Sequence, residues 1–324
     1  MKKVLVLVVL LGVILVGIAN ARVSRPSSVL KISVPKIEKV SFEKFKVIKA
    51  KNVEIVKKLR ISRFSRKSFF DFPFFNFSHF HFPSRKAATG ILGEEVKGEK
   101  YAIVIGISDY PGEESDLNFA DDDARLFAQV LKEKYHFLEE NVFTFIDSDA
   151  QAEKIFETIN TLRATITKDD EIIFFFSGHG VRGIAEDSDR ERIDEGIVLW
   201  QGDDFFYLWD GQLKEWFEDF PTKRIVSIFD SCLAGGMDDL AEEGRIVNMA
   251  TWEFGRWASA VELEELGHGE FTYYFVKEAI EEGKADTTPQ DGVISDEEAF
   301  DWAKENCRYD RPTINDQFEN DLVF

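Results

Sequence analysis

Two stretches of this chain share one construction, an apolar run that ends in small residues around a single reactive side chain. The first reads EIIFFFSGHG (residues 171–180), and the second reads KRIVSIFDSCLAGG (residues 223–236). A short β-rich run bounded by small residues is typical of a buried strand that ends in a tight loop. In an open α/β sheet, chemistry lies at the carboxyl ends of the strands. The pattern therefore predicts that His179 and Cys232 follow two strands of one sheet.

From residue 101 onward, apolar runs alternate with stretches of helical spacing. Strands are predicted at 101–108, 142–146, 172–176, 225–229 and 246–251, with a short strand or hairpin arm at 197–200. Helices are predicted at 116–134, 152–165, 208–218, 271–282 and 296–305, and the tail 306–324 is expected to supply an edge strand. Such alternation predicts an α/β fold, with a mostly parallel sheet covered by helices on both faces.

Cys232 and His179 are the candidates for nucleophile and base. A thiol needs a neighbouring imidazole to become a thiolate at neutral pH and to pass a proton to the leaving amine. For each residue alone, a structural role is the alternative, since a buried cysteine packs as a small hydrophobe. Two strand ends, one carrying His and the other Cys, favour catalysis. The only other cysteine is Cys307, so a catalytic Cys232 leaves no pair for a structural disulfide.

With these motifs the chain resembles the caspase-like cysteine peptidases of family C14, and more closely their metacaspase branch. The similar stretches are SGHG (177–180), DSC (230–232) and residues 101–110, 246–252 and 267–283. The spacing from His179 to Cys232 is close to the roughly 50 residues found in caspases. Caspases carry Gln-Ala-Cys where this chain has Asp-Ser-Cys, which favours the metacaspase side.

The resemblance implies a fold and a chemistry. The fold is a three-layer sandwich with a mostly parallel six-stranded sheet. The activity is that of a cysteine-type endopeptidase with a His179/Cys232 dyad, acting on protein or peptide substrates and needing no cofactor for the chemistry itself. The backbone N–H groups of Gly180 and Cys232 are the implied oxyanion donors, a kind of group typically worth about 3 kcal/mol in a transition state.

A specificity pocket is implied by the segment LNFADDDAR (residues 117–125), which resembles the metacaspase motif Leu-x-Gly-Cys-x-Asn-Asp-Ala. The alignment puts Asp123 on the functional aspartate of the motif, while Phe119 and Ala120 depart from its glycine and cysteine. In the family this aspartate and the one two residues before the nucleophile, here Asp230, line the S1 pocket. Two carboxylates would bind Arg or Lys as a charge-assisted pair. The alternatives are that the acids merely begin a helix, or that the enzyme prefers Asp as true caspases do.

Acidic loops after both catalytic strands are candidates for calcium. The resemblance places Asp194, Asp210 and Asp239 on ligand positions, whereas Gly211 occupies another. Calcium takes several oxygen ligands on flexible loops. Solvated acidic loops that bind no metal are the alternative.

The N-terminal part of the chain reads as a leader and a linker. Residues 1–21 have a short positive start, an apolar core and a small-residue end, which predicts a signal peptide and a secreted or cell-surface protein. An uncleaved anchor is the alternative. Residues 22–98 are predicted to be a basic prosegment or linker, since residues 22–90 show no clear globular pattern and residues 84–98 read as the domain boundary. This part includes the Phe-rich tract SFFDFPFFNFSHFHFP (68–83), a candidate for membrane-surface contact. The catalytic domain is predicted to span 99–324.

Charge is divided unevenly along the chain. Residues 22–100 carry 19 Lys/Arg against 7 Asp/Glu, and residues 101–324 carry 19 against 53. An acidic domain disfavours nucleic acid and suits basic partners. The basic segment is therefore predicted to be an inhibitory prosegment that the enzyme itself removes, with Arg85 and Lys86 as cleavage points and Arg60, Arg63 and Arg66 as earlier options. A linker that never touches the site is the alternative, as is a catalytically silent binding or scaffold protein on this fold.

Overall fold

One strand explains why the chain adopts a layered architecture. Every residue of β5 (Glu171–Gly178) is buried. Its side chains alternate between two hydrophobic cores, with Phe174 and Phe176 in one and Ile173 and Phe175 in the other. A strand that is apolar on both faces must lie inside a sheet that is covered on both sides.

The structure is a computed structural model that describes residues 45–62, 86–187 and 192–324. All of these residues belong to one compact unit, Val40–Phe324. The predictions for the signal peptide, the Phe-rich tract, Arg63, Arg66 and Arg85 fall outside the described residues.

The central sheet has six strands in the order β13-β10-β9-β5-β3-β4. Its members besides β5 are β3 (Lys100–Gly106), β4 (Val142–Ile146), β9 (Ile225–Ser231), β10 (Arg245–Met249) and β13 (Thr313–Asp316). Neighbouring strands are parallel except for β13, which runs antiparallel to β10 at one edge. The mostly parallel six-stranded sheet and the edge strand from the C-terminal tail are therefore confirmed.

Helices cover both faces of this sheet. They are α1 (Ala120–Lys134), α2 (Ala152–Thr165), α3 (Asp210–Phe217), α4 (Glu270–Thr272) continuing as a π-helix (Tyr273–Glu281), and α5 (Asp296–Asn306). Residues of α2 and α3 pack into the core on one face, and residues of α1, the π-helix and α5 pack into the core on the other. The result is the predicted three-layer sandwich. No helix in the described parts of the chain combines the length and apolar character needed to cross a membrane.

Two smaller sheets stand beside the carboxyl ends of the central strands. One has the order β1-β6-β7-β8 and the other the order β12-β11-β2. Their strands are β1 (Ala50–Val56), β2 (Leu59–Ile61), β6 (Gly180–Ala185), β7 (Asp194–Gln201), β8 (Asp204–Trp209), β11 (Val261–Leu263) and β12 (His268–Gly269).

Strands β1 and β2 lie ahead of residue 99, in a region where the sequence showed no globular pattern. Most residues of these two strands are exposed, so neither has the apolar alternation by which a half-buried strand is recognised. Each is held by pairing with a strand of the catalytic domain, β1 with β6 and β2 with β11. The domain boundary predicted at residue 99 stays a prediction, although the described residues before it belong to the same compact unit.

Candidate active site

His179 and Cys232 lie side by side at the carboxyl end of the central sheet. Strands β5 and β9 are parallel neighbours in which Gly178 pairs with Ser231, so the next residue of each strand is His179 or Cys232. A Cβ atom added to Gly180 would lie 2.0 Å from the Cys232 carbonyl oxygen. Only glycine permits this close approach of the two backbones. The roles of the Gly180 and Cys232 N–H groups as oxyanion donors stay predictions.

The surroundings of the imidazole fix its tautomer. His179 Nε2 lies 2.7 Å from the carbonyl oxygen of Ser115. Because a carbonyl only accepts hydrogen bonds, Nε2 must carry the ring proton. Nδ1 then keeps its lone pair, and among the described residues this buried atom has no hydrogen-bond partner. His179 therefore presents a free basic nitrogen.

Tyr110 supports the histidine from its other side. The two rings stack with centroids 4.6 Å apart, and the backbone N–H of His179 donates to Tyr110 Oη at 2.9 Å. The Tyr110 hydroxyl in turn donates to the carbonyl of Val198 at 3.2 Å. Ser115 and Tyr110 are positioning groups to which the sequence assigns no role. Ser115 acts through its backbone carbonyl, and Tyr110 is the last residue of the stretch 101–110, which carries only a general family resemblance.

Cys232 is buried and its thiol is in contact with backbone. Ala260 N–H donates to Cys232 Sγ at 3.2 Å. Leu233 follows in the left-handed region with φ of 61°, a strained conformation for a leucine that turns the chain sharply after the thiol. Both Cys232 and Cys307 are free thiols.

Burial leaves the dyad uncharged in this structure. It raises the pKa of Cys232 to about 12, although the Ala260 N–H and the nearby Lys58 act against the rise. Burial also lowers the pKa of His179 to about 4, against the contact with Ser115. Near neutral pH the resting site therefore holds a thiol and a neutral imidazole, and not a thiolate.

Asp123 and Asp230 meet beside the dyad, although 107 positions separate them in the sequence. A Cβ atom on Gly269 would lie 2.4 Å from Asp230 Oδ2 and 2.9 Å from Asp123 Oδ2, so the glycine lets both carboxylates approach. Asp230 Oδ2 accepts hydrogen bonds from the backbone N–H and the hydroxyl of Thr272. This buried pair of carboxylates is called the acidic pocket below.

Asp123 has additional partners in the acidic pocket. Its Oδ1 lies 2.9 Å from His268 Nδ1, and its Oδ2 accepts from the Ser177 hydroxyl at 2.8 Å. Burial raises the pKa of Asp123, while the hydrogen bond to His268 lowers it. His268 and Gly269 belong to a stretch, residues 267–283, that had been noted only for its family resemblance.

A lysine that the sequence analysis did not single out occupies the acidic pocket. Lys58 Nζ donates to Asp230 Oδ1 at 2.6 Å and to Ser177 Oγ at 3.0 Å, and it lies 4.0 Å from Asp123 Oδ2. Burial alone would lower the pKa of Lys58, but Asp230, Asp123 and Glu262 raise it above its ordinary value. Lys58 is therefore held as a cation, and its attraction to two buried carboxylates offsets the free-energy cost of its burial.

Two of the predicted processing residues, Lys86 and Arg60, belong to the described part of the chain, and neither occupies the acidic pocket. Lys86 lies beside Asp301 and Glu305 of α5. Arg60, one of the earlier options, is mostly exposed and pairs with Glu264. Arg60 is nevertheless only two residues from Lys58 in the sequence, and along the chain it is nearer to the acidic pocket than Arg85 and Lys86 are.

The three residues predicted for calcium are only partly brought together. The pairing of Gly196 with Trp209 places Asp194 and Asp210 at the same end of the β7-β8 hairpin. The carboxylate of Asp239 instead pairs with Lys214 at 3.2 Å. Across the described ranges, no group of three or more His, Cys, Asp or Glu residues is arranged to hold a metal. Calcium binding by these loops stays a prediction.

Comparison with known proteins adds an independent observation. Residues 100–241 match the family model "Metacaspase, peptidase C14 domain". Over 152 residues the chain is 32% identical to metacaspase-4 of Arabidopsis thaliana, a match that covers 44% of this chain and 35% of that protein. Metacaspase-6 of the same plant is also 32% identical over 152 residues, with 44% of this chain and 40% of the relative covered.

A fungal relative and a solved structure are similar as well. Metacaspase-1 of Meyerozyma guilliermondii is 28% identical over 160 residues, which cover 44% of this chain and 37% of that protein. The chain thus spans well under half the length of these relatives. A crystal structure of a Geobacter sulfurreducens protein superposes with a TM-score of 0.47 at 15% identity, covering 67% of this chain and 93% of that one.

Proposed function

The chain carries a caspase/metacaspase-like peptidase domain of family C14, and from this premise we propose that it is a cysteine endopeptidase that cleaves after Lys or Arg. The observation that carries this proposal is the acidic pocket beside Cys232, with a lysine ammonium bound between Asp123 and Asp230. A P1 aspartate would meet two buried carboxylates there, and like charges at close range disfavour its binding. The pocket therefore supports basic specificity over Asp specificity.

The dyad would work through Nδ1 of His179. When a substrate replaces the segment that carries Lys58 in the site, Nδ1 takes the proton of the Cys232 thiol. The thiolate then attacks the carbonyl carbon of the P1 residue. The backbone N–H groups of Gly180 and Cys232 are proposed to stabilise the oxyanion. The imidazolium then gives its proton to the leaving amine, and water hydrolyses the thioester.

We further propose that the protein is made as an exported zymogen whose basic N-terminal segment is removed by the enzyme. The leader-like residues 1–21 and the opposite charges of the two parts of the chain support this proposal. Surface contact through the Phe-rich tract and an effect of calcium stay predictions. Assays with calcium and with a chelator will decide the second.

The test of the proposed activity is hydrolysis of peptides that vary at P1, measured for the wild type, Cys232→Ala and His179→Ala. We expect both substitutions to abolish hydrolysis after Lys and Arg, with the double variant no worse than either single one, because the dyad acts as a unit. Cys307→Ala, the same change at the other free thiol, is the matched control and should retain hydrolysis. Near wild-type hydrolysis by Cys232→Ala would exclude the mechanism.

A further inference from the structure

The segment that carries Lys58 is held across the active site at both ends. On one side, β1 pairs antiparallel with β6, and Val56 lies opposite Gly180, the residue after His179. On the other side, β2 pairs with β11, and Leu59 N–H donates to the carbonyl of Ala260 at 2.9 Å. Lys57 and Lys58 are the link between the two strands. The backbone therefore passes the dyad in an extended form that adds strands to both neighbouring sheets, as bound peptides do.

The bond after Lys58 lies next to the nucleophile. Val56 packs against a small cluster that contains Cys232 and Ala260. Ala260 accepts from Leu59 N–H through its carbonyl and donates to Cys232 Sγ through its own N–H. One residue of the enzyme thus contacts both the amide nitrogen of the Lys58–Leu59 bond and the sulfur.

Anchors on both sides keep the segment in this place. Before β1, Phe45 stacks on Phe206 with centroids 5.6 Å apart, and Ile48 is buried in the core. Beyond the link, Arg60 pairs with Glu264. A segment tied down on both sides would hold its lysine in the pocket at high effective concentration.

We propose that residues 50–61 are the enzyme's own first substrate, with Lys58 as the P1 residue and Lys58–Leu59 as the bond that is cleaved. This inference rests on the proposed peptidase activity. Until cleavage, the segment blocks the acidic pocket and covers the dyad, so the same contacts account for latency. The proposed processing site thus moves from Arg85 and Lys86, which stay untested, to the lysine whose ammonium lies in the acidic pocket.

The cleavage step is balanced within the chain. Cys232 passes its proton to His179, and Sγ forms a thioester with the carbonyl carbon of Lys58 as the bond to Leu59 nitrogen breaks. The proton on His179 goes to that nitrogen, which becomes the new amino terminus. Water then hydrolyses the thioester, leaving a carboxylate on Lys58 and a thiol on Cys232.

The first experiment follows the products of the purified full-length chain by amino-terminal sequencing and intact mass. The wild type should yield a product that begins at Leu59, and Cys232→Ala should stay whole at this bond. Lys58→Gln should abolish cleavage there, whereas Lys58→Arg should retain it. Lys51→Gln is the matched control, because it makes the same change on an exposed lysine of β1 and should cleave like the wild type.

A second experiment tests pocket occupancy without any cleavage. In a His179→Ala chain, which keeps the thiol but lacks the base, iodoacetamide labelling of Cys232 is timed by mass spectrometry of the Cys232 peptide. Adding Lys58→Gln should speed labelling by about tenfold or more, because labelling of a covered group follows the population of the open form. Adding Lys51→Gln should leave the rate unchanged.

Hydrolysis of added P1-Lys and P1-Arg peptides by the wild-type and Lys58-variant chains of the first experiment separates the proposed peptidase activity from the proposed role of Lys58. One set of results would contradict the role of Lys58 and still support the peptidase activity. In that case the added peptides are hydrolysed, the product begins at a residue other than Leu59, and Lys58→Gln does not change the labelling rate of Cys232. If Lys58→Gln speeds the labelling of Cys232 but no chain hydrolyses the peptides, the segment covers Cys232 as proposed and the proposed peptidase activity is contradicted.

Discussion

At the scale of single residues, a backbone carbonyl and one aromatic side chain position the ring of His179, the proposed base. Its tautomer is set by the Ser115 carbonyl, and its ring and backbone are held by Tyr110. Both residues of the proposed dyad stand in recognisable sequence motifs. The sequence does not reveal which main-chain carbonyl will reach the imidazole, because that depends on how the loop before α1 folds back over the sheet.

The acidic pocket gives a prediction at the same scale for Asp123→Asn. The substitution is made in a Lys58→Gln background, in which the chain's own lysine no longer competes with the substrate for the pocket. The amide removes one of the two charges that bind a P1 cation. We expect KM for P1-Arg and P1-Lys peptides to rise by more than about tenfold, with a smaller change in kcat, since the partner of a buried charge is lost. The measurement is steady-state kinetics on a peptide series.

The matched control for this prediction is Asp122→Asn, the same change on the exposed neighbour in α1. It should leave KM within about twofold, because exposed charges contribute little to binding. An Asp123→Asn enzyme with unchanged KM, or one that cleaves efficiently after Asp, would contradict basic specificity carried by this pocket.

At the scale of elements, α5 begins on a buried carboxyl group with unusual protonation. Asp296 is fully buried, and Asn248 Nδ2 donates to its two oxygens at 2.8 and 2.9 Å. Burial raises the pKa of Asp296 to about 8, against these hydrogen bonds. The neighbouring Glu297 has its pKa raised to about 10, again by burial. The folded chain therefore keeps a proton on Asp296 that the unfolded chain has lost above its ordinary pKa.

The sign of the stability effect follows from this proton. Between the ordinary pKa of an aspartate, about 4, and pH 8, the folded state binds more protons than the unfolded state, so the free energy of unfolding falls as pH rises. Asp296→Asn removes this dependence, and its amide can donate to Asn248 Oδ1, a buried atom without a partner in the described structure. We expect the variant to gain about 1 kcal/mol or more over the parent between pH 5.5 and pH 9.

Urea unfolding in a Cys232→Ala background, which does not process itself, measures this gain. Glu305→Gln, a neutralised acid on the exposed part of the same helix, serves as the control and should show no such pH trend. A stability difference between Asp296→Asn and its parent that is the same at both pH values would contradict a raised pKa at this position.

Elements differ in how far the sequence predicts them, and the reason is burial. Strand β5 is apolar on both faces, so its position in the middle of the sheet can be read from its residues alone. Strand β1 is mostly exposed and exists because β6 offers it a free edge, a tertiary cause with no local pattern. For the same reason Lys58 is one lysine among many in the sequence and becomes distinctive only when β1 and β2 set it over the acidic pocket.

At the scale of the whole molecule, the unequal division of charge predicts how the segment behaves once it is cut. Residues 22–58, which lie before the proposed cleavage point, carry 11 Lys/Arg against 3 Asp/Glu, and residues 59–324 carry 27 against 57. After cleavage at Lys58 the segment is no longer tethered, and only its contacts keep it on the enzyme. Those contacts include the buried lysine, apolar anchors such as Phe45, and the exposed ion pair of Lys46 with Glu215.

We therefore expect a synthetic peptide of residues 45–58 to inhibit the processed enzyme competitively, and to do so more weakly as salt rises. Long-range attraction between exposed charges is screened beyond about 10 Å at 0.1 M ionic strength, whereas the buried lysine and the apolar contacts are little affected. Inhibition should weaken several-fold between low and moderate salt and then level off. The inhibition constant is measured with a P1-Arg peptide after the released segment has been removed at high salt.

A peptide with Gln in place of Lys58 should bind more than about tenfold less tightly at every salt concentration, because it leaves two buried carboxylates without their cation. Equal inhibition by the two peptides would show that the acidic pocket does not hold the segment. An inhibition constant that does not change with salt concentration would show that the opposite charges of the two parts of the chain do not help to retain it.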